Sequence, residues 1–155
     1  RYPADRFFQE AKEIGIDGVI IPDLPGEEQQ EIRPLADENG VDIIQMVAPT
    51  SEDRIRSNVK NATGFVYVVS SMGVTGMRGS IQTDLKDIIR VIKETTDTPV
   101  AIGFGIHTPK QAKEMAALAD GVITGSGVVD IINKEGNKAD QDLMNYIGGL
   151  KKAIG

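Results

Sequence analysis

Two apolar stretches near the C-terminus end in glycines: AIGFGI at residues 101–106 and VITGSGV at residues 122–128. Unbroken hydrophobicity of this length predicts strands buried on both faces, as in a parallel sheet covered by helices. Glycines at the end of each strand let backbone N–H groups approach a ligand without a side chain between them. The second stretch runs on into a predicted short helix, whose free N-terminal amides would attract an anion.

Three earlier stretches, at residues 18–24, 42–48 and 64–70, are apolar and rich in β-branched residues in the same way. Helical patterns separate them, which gives the order αβαβαβαβαβα. An open doubly wound sheet and part of a β/α barrel both fit this order. The first strand-to-helix loop has no glycine-rich dinucleotide-binding fingerprint, which favours the barrel. In barrels, the loops after the last two strands and a short extra helix often bind phosphate.

Helix signals support this order. The first predicted helix covers residues 5–14 and ends at Gly15, and Ser51 is a predicted N-cap. Thr108 combines an N-cap with proline at the first helical position and glutamine at the third. Apolar residues at helical spacing predict two more helices. One carries the stripe Ile81, Leu85, Ile88, Ile89 and Ile92, and the other is a closing helix over residues 139–154.

Length and composition restrict the function. The 155 residues predict one domain over residues 1–155, and the net charge of −6 argues against a nucleic acid or membrane partner. The sequence has no cysteine and one histidine, so neither a metal site nor a cofactor is expected, and a cytoplasmic location fits. The chain opens at Arg1 and enters a helix almost at once, from which we expect a fragment of a longer protein.

The longest irregular stretch, SSMGVTGMRGS at residues 70–80, has two interpretations. It is either an ordinary loop or a lid, most mobile without ligand, whose Thr75 and Gly76 close over the bound molecule. Arg78 in this loop is weak evidence for a phosphate contact.

Four other residues are weaker candidates. Asp23 follows the first strand and is either catalytic or a local cap, the cap being slightly favoured. Tyr67 points either into the barrel or into the core, and Phe104 either packs on an apolar ligand or plugs the barrel. His107 is expected at the surface.

Several motifs, in order along the chain, resemble the tryptophan synthase alpha subunit family. They are GIDGVIIPDLP at residues 15–25, APT at 48–50, SSMGVTG at 70–76, GFGI at 103–106 and GS at 125–126. The resemblance implies that the chain is part of a (β/α)8 TIM barrel, with five parallel strands that correspond to strands 4–8 and their helices.

The resemblance also implies an activity, the retro-aldol cleavage of indole-3-glycerol phosphate to indole and glyceraldehyde 3-phosphate, with indole passed to a beta subunit. Carried over by position, the residues that hold the phosphate are Gly76, Gly105, Gly125 and Ser126. Tyr67 would line the substrate pocket, Phe104 would pack near the indole ring, and Thr75 would belong to the closing loop. No catalytic residue is assigned, because the family's glutamate and aspartate lie in the N-terminal third, before the matched motifs.

The chain alone is therefore expected to be inactive. Five strands do not close a cylinder of eight, so the first and last strands should be exposed edges that favour association. The alternatives are another phosphate-binding barrel enzyme of amino-acid biosynthesis, or a non-catalytic module that binds a phosphate ester.

Overall fold

A computed structural model describes residues 2–24, 28–70, 78–103 and 105–155, with the side chains of residues 78–84 left out. Helices and strands alternate along most of these residues, as the sequence predicts, but β2 and β3 follow each other directly, and so do the last helices. The elements are α1 (Ala4–Glu13), β1 (Gly18–Val19), α2 (Gln29–Asn39), β2 (Asp42–Ile43), β3 (Gln45–Val47), α3 (Glu52–Val59), β4 (Val66–Val69), α4 (Arg78–Thr95), β5 (Val100–Gly103), α5 (Pro109–Ala116), β6 (Gly121–Ile123), α6 (Ser126–Glu135), a 3-10 turn (Gly136–Lys138) and α7 (Asp140–Ile154).

All described strand pairs are parallel. β1 pairs with β2, and β3, β4, β5 and β6 follow one another as neighbours. Residues 42–48, predicted as one strand, form both β2 and β3, because the first part of the run pairs with β1 and the second part with β4. Between them, the Ile44 N–H donates to the Val19 carbonyl at 2.9 Å. The five apolar runs therefore lie side by side in the predicted order.

The first strand is shorter than predicted. Its ladder covers Gly18–Val19 rather than residues 18–24. Pro22 has no N–H to donate to a ladder, and the chain turns there, with the Leu24 N–H donating to the Ile21 carbonyl at 3.2 Å. The prediction was wrong at this edge because a continuous apolar run does not show where backbone pairing stops.

One face of the β3–β6 sheet carries the core. Val66, Val68, Val100 and Ile102 are each 0% exposed and pack with apolar residues of the surrounding helices. The predicted stripe on α4 is confirmed for its described members, which are all buried: Leu85, Ile88, Ile89 and Ile92. A smaller cluster joins α1 and α2 to β1 and β2 through Phe8, Ala11, Ala36, Val41 and Ile43.

The helix ends agree with the sequence signals in most places. Thr108 and Gln111 form the predicted capping box, with Pro109 at the first helical position. Gly15 follows α1 with φ +80°, a conformation that favours glycine. Ser51 occupies the N-cap of α3 but its side chain makes no capping hydrogen bond. No helix among the described residues combines the length and apolarity that a membrane crossing requires.

The Asp120 carboxylate stabilises the amino end of β5 through hydrogen bonds. Asp120 accepts a hydrogen bond from Lys93 Nζ and another from the Val100 N–H, both at 2.9 Å. The Lys93 hydrogen bond, followed by the Val100 N–H, lowers the pKa of the Asp120 carboxyl below its ordinary value. The ionised side chain therefore connects α4, β5 and the turn before β6.

The sheet edges generate the first prediction. Among the described residues, β1 pairs with β2 alone and β6 with β5 alone, and Ile20 beside β1 is 43% exposed. Because such edges pair with other chains, we expect the 155-residue chain to self-associate in sedimentation velocity experiments. Ile20→Lys should raise the monomer fraction, whereas Gln9→Lys, which adds the same charge on a helix, should not. A wild-type chain that stays monomeric at all concentrations would contradict the prediction.

Asp120 generates the second prediction. Because its pKa is lower in the folded chain, its contribution to stability is complete above the ordinary aspartate pKa of about 4 and is lost as the pH falls through the lowered value. Asp120→Asn should therefore lower the free energy of unfolding at pH 7 and reduce its decline in acid. Urea unfolding at pH 7 and at pH 3 measures both effects, with the exposed Asp37→Asn as control. An unchanged acid decline in Asp120→Asn would refute the role of this carboxylate.

Candidate functional site

The parallel register brings the turns after β5 and β6 to the same edge of the sheet. Gly103 is paired with Ile123 across the two strands, and Gly105 and Gly125 each lie two residues further on. A side chain joins the two turns directly, because Thr124 Oγ1 donates to the Ile106 carbonyl at 2.9 Å. Three of the predicted phosphate-binding residues, Gly105, Gly125 and Ser126, are therefore brought to one edge.

The N-terminus of α6 lies at this edge. Gly125 is its N-cap, and no side chain caps the helix. The N–H groups of Val128 and Val129 donate to the Gly125 carbonyl at 3.0 and 3.1 Å. Among the described residues, no acceptor pairs with the N–H groups of Ser126 and Gly127. Unpaired amides at the positive end of a helix are a suitable site for an anion.

The two turn glycines leave space beside these amides. A Cβ placed on Gly105 or Gly125 would meet no atom of the described residues within 4 Å, which leaves room there for a small ligand. Gly105 has φ +74°, a left-handed conformation that disfavours any other residue. Gly125 has φ −126°, so its backbone accepts a side chain. The backbone thus requires glycine at position 105, whereas glycine at position 125 leaves room for a ligand.

Tyr67 lies on the other face of the sheet from the core. Its neighbours Val66 and Val68 are buried against the helices, while Tyr67 is half-buried. The ring reaches across β5, and a Cβ on Gly103 would overlap the Tyr67 hydroxyl. This is the face that a barrel turns inward, and Tyr67 lies close to the end of β5 that leads to Gly105.

The remaining candidates are either outside the described residues or exposed at the surface. Thr75 and Gly76 of the predicted lid, and Phe104, lie outside the described residues. Asp23 is exposed in the turn after β1, and His107 is exposed as expected. Among the described residues, no group of three or more histidines and carboxylates is arranged to hold a metal ion.

Sequence reasoning missed two contributors to this edge, Thr124 and Tyr146. Their hydroxyl oxygens are 2.9 Å apart, and Thr124 in turn binds the Ile106 carbonyl. Thr124 could have been found from the sequence, because it is a hydroxyl residue directly before the glycine turn. Tyr146 is 22 positions away on α7, which the sequence predicts only as a closing helix with an apolar stripe.

A separate cavity of about 580 Å³ lies between α2 and α3, on the helix side of β3. Gln45 lines it, 1% exposed, and donates through Nε2 to Gln29, while its Oε1 has no partner among the described residues. Because its lining residues come from positions 29–61, this cavity is distinct from the glycine edge.

A family model described as tryptophan synthase alpha chain matches residues 1–154. The chain belongs to this family. The tryptophan synthase alpha chain of Lacticaseibacillus casei is 45% identical over 154 residues, which are 99% of this chain and 58% of that protein. The chain thus spans somewhat more than half the length of the alpha chains it matches.

Solved structures of the family share the fold. The alpha subunit from Campylobacter jejuni superposes with a TM-score of 0.82 at 31% identity, over 99% of this chain and 58% of that one. A chain from the tryptophan synthase a2b2 complex of Pyrococcus furiosus gives a TM-score of 0.81 at 30% identity, over 97% and 60%. The predicted partial barrel of parallel strands is confirmed by this match to alpha subunits.

Alanine substitutions at the two turn glycines should have different effects on stability. Gly105→Ala should lower the free energy of unfolding by about 1–2 kcal/mol, because alanine is strained at positive φ. Gly125→Ala should change it by less than about 0.5 kcal/mol, because the new methyl group meets open space at negative φ. Urea unfolding of both variants measures the difference. An equal loss of unfolding free energy in both variants would contradict the backbone conformations described for the two turns.

Proposed function

We propose that the edge formed by Gly105, Gly125 and Ser126 binds the phosphate of indole-3-glycerol phosphate. This proposal rests on the N-terminus of α6, where the described residues provide no side-chain cap and no acceptor for two amides beside an open glycine turn. Backbone amides bind phosphate without added positive charge, which suits a chain with a net charge of −6. Membership of the tryptophan synthase alpha chain family supports the choice of substrate.

The reaction proposed for the complete protein is a carbon–carbon lyase reaction in tryptophan biosynthesis. Retro-aldol cleavage breaks the bond between the indole ring and the glycerol phosphate chain, giving indole and glyceraldehyde 3-phosphate. It needs an acid that protonates the ring carbon and a base that removes a proton from the glycerol hydroxyl. We assign neither role within residues 1–155, since the exposed Asp23 cannot perform both.

The other assigned residues position the substrate. Tyr67 would line the pocket for the indole ring, on the face of the sheet away from the core. Phe104 would pack near the ring, and Gly76 would contribute to the phosphate site. Thr75 would belong to the loop that closes over it.

A beta subunit is the proposed protein partner, as the Pyrococcus furiosus relative is described as part of an a2b2 complex. We further propose that residues 1–155 form one domain, the C-terminal portion of a barrel, in a cytoplasmic enzyme. No nucleic acid or membrane partner is proposed, in keeping with the negative net charge.

Phosphate-ester binding is the first test. Isothermal titration of the 155-residue chain with glycerol 3-phosphate should show saturable binding, and titration with glycerol should not. Gly125→Val should abolish the binding with little change in melting temperature, because the side chain occupies the ligand's space. Gly148→Val, at an exposed glycine with equally open surroundings on α7, is the matched control. Equal binding of glycerol, or unchanged binding by Gly125→Val, would contradict the site.

Turnover is the second test. The segments of the Lacticaseibacillus casei alpha chain outside the aligned 154 residues can be fused to this chain. The fusion should release indole from indole-3-glycerol phosphate, whereas the chain alone should not. A fusion that binds glycerol 3-phosphate but releases no indole would instead favour a non-catalytic module for phosphate esters. Indole release by the chain alone would contradict the placement of the acid and base outside it.

A further inference from the structure

Tyr146 of α7 contacts the anion edge at two points. Its hydroxyl lies 2.9 Å from Thr124 Oγ1, which itself donates to the Ile106 carbonyl. Its ring lies against Gly127, the second residue of α6, where a Cβ would overlap the hydroxyl and come within 2.8 Å of Cζ. The Tyr146 side chain therefore contacts Thr124 before the turn that follows β6 and Gly127 after it.

The hydrogen-bond roles can be assigned. Thr124 Oγ1 has a single proton, and the Ile106 carbonyl can only accept. Thr124 therefore donates to Ile106, and its oxygen accepts the proton of the Tyr146 hydroxyl. This gives the order Tyr146 to Thr124 to Ile106, which joins α7 to the turns after β6 and β5.

The contact with Tyr146 explains why position 127 is glycine, which the backbone conformation there does not require. Position 127 is the second residue of α6, and its φ lies outside the left-handed region that favours glycine. Among the described residues, the space that an alanine methyl would need is taken by the tyrosine hydroxyl and ring. Glycine at position 127 and tyrosine at position 146 therefore depend on each other.

We propose that Tyr146 is a positioning residue that sets the direction of the Ser126 and Gly127 amides toward the bound phosphate. This inference rests on the proposed phosphate site. Tyr146 is half-buried against the core, and its hydroxyl holds Thr124 while its ring limits how closely α6 approaches α7. Its action on the ligand is indirect, through the orientation of the turn.

The test is a set of variants whose dissociation constants for inorganic phosphate are measured by titration in amide NMR spectra. Tyr146→Phe keeps the ring and removes the hydrogen bond, so it should weaken binding about fivefold. Thr124→Val should weaken it by a similar factor, whereas Thr124→Ser, which keeps the hydroxyl, should bind like the wild type. Gly148→Ala, at an exposed position of the same helix, should also bind like the wild type.

Gly127→Ala tests the mutual dependence. In the wild-type background it should weaken binding roughly tenfold, because the methyl group displaces the tyrosine hydroxyl. In the Tyr146→Leu background both the hydroxyl and the ring atom Cζ are absent, so the same change should cost clearly less. An equal loss in both backgrounds, or a Tyr146→Phe variant that melts at a lower temperature but binds phosphate normally, would overturn the proposal.

A wild-type chain that does not bind phosphate would contradict the proposed function, and the positioning claim would still be tested. Tyr146→Phe should then shift the ligand-free amide resonances of Ser126 and Gly127, and Gly148→Ala should leave them unchanged. Undisturbed resonances in Tyr146→Phe would refute the positioning role.

Discussion

The position of the glycine edge follows from the parallel pairing of β4, β5 and β6. Parallel strands place all their carboxyl ends at one edge, so the turns that follow them become neighbours although they are distant in sequence. Val68 pairs with Ile102 and Ile102 with Val122, which fixes the register of all three strands. A register shifted by one residue would turn the buried valines and isoleucines away from the helices. The core thus also determines where Gly105 and Gly125 lie.

Two contacts between a glycine and a tyrosine complete the edge. Tyr67 lies across Gly103 on β5, and Tyr146 lies against Gly127 on α6. In each case the tyrosine hydroxyl occupies the space of a missing Cβ. The first contact leaves an aromatic ring on the face of the sheet that a barrel turns inward, and the second sets the spacing between α6 and α7. Gly103 and Gly127 are therefore determined by packing, and Gly105 by its positive φ.

Much of this architecture can be predicted from the sequence because its signals are local. Apolar runs mark the strands, and the threonine, proline and glutamine at positions 108, 109 and 111 mark the start of α5. The division of residues 42–48 between two partners could not be predicted, since it depends on where the neighbouring strands end. The same holds for the ends of the first strand and for Ser51, which has the capping residue type without the capping bond.

The site was predictable only in part, for a related reason. Glycines that follow strands are visible in the sequence, and so is the helix that begins at Ser126. Contacts such as that of Tyr146 with Thr124 join residues far apart in sequence, and a helical pattern shows only that the tyrosine faces inward. The family match supports the proposed substrate class, while the geometry of the turn has to come from the structure.

We propose that the glycine turns after β5 and β6 form one phosphate site. A crystal structure of the chain grown with glycerol 3-phosphate would show whether they do. We expect a phosphate group within hydrogen-bond distance of the N–H groups of Gly105 and Ser126, with Tyr146 still bonded to Thr124. Phosphate bound elsewhere, with those two amides paired to protein atoms, would contradict it.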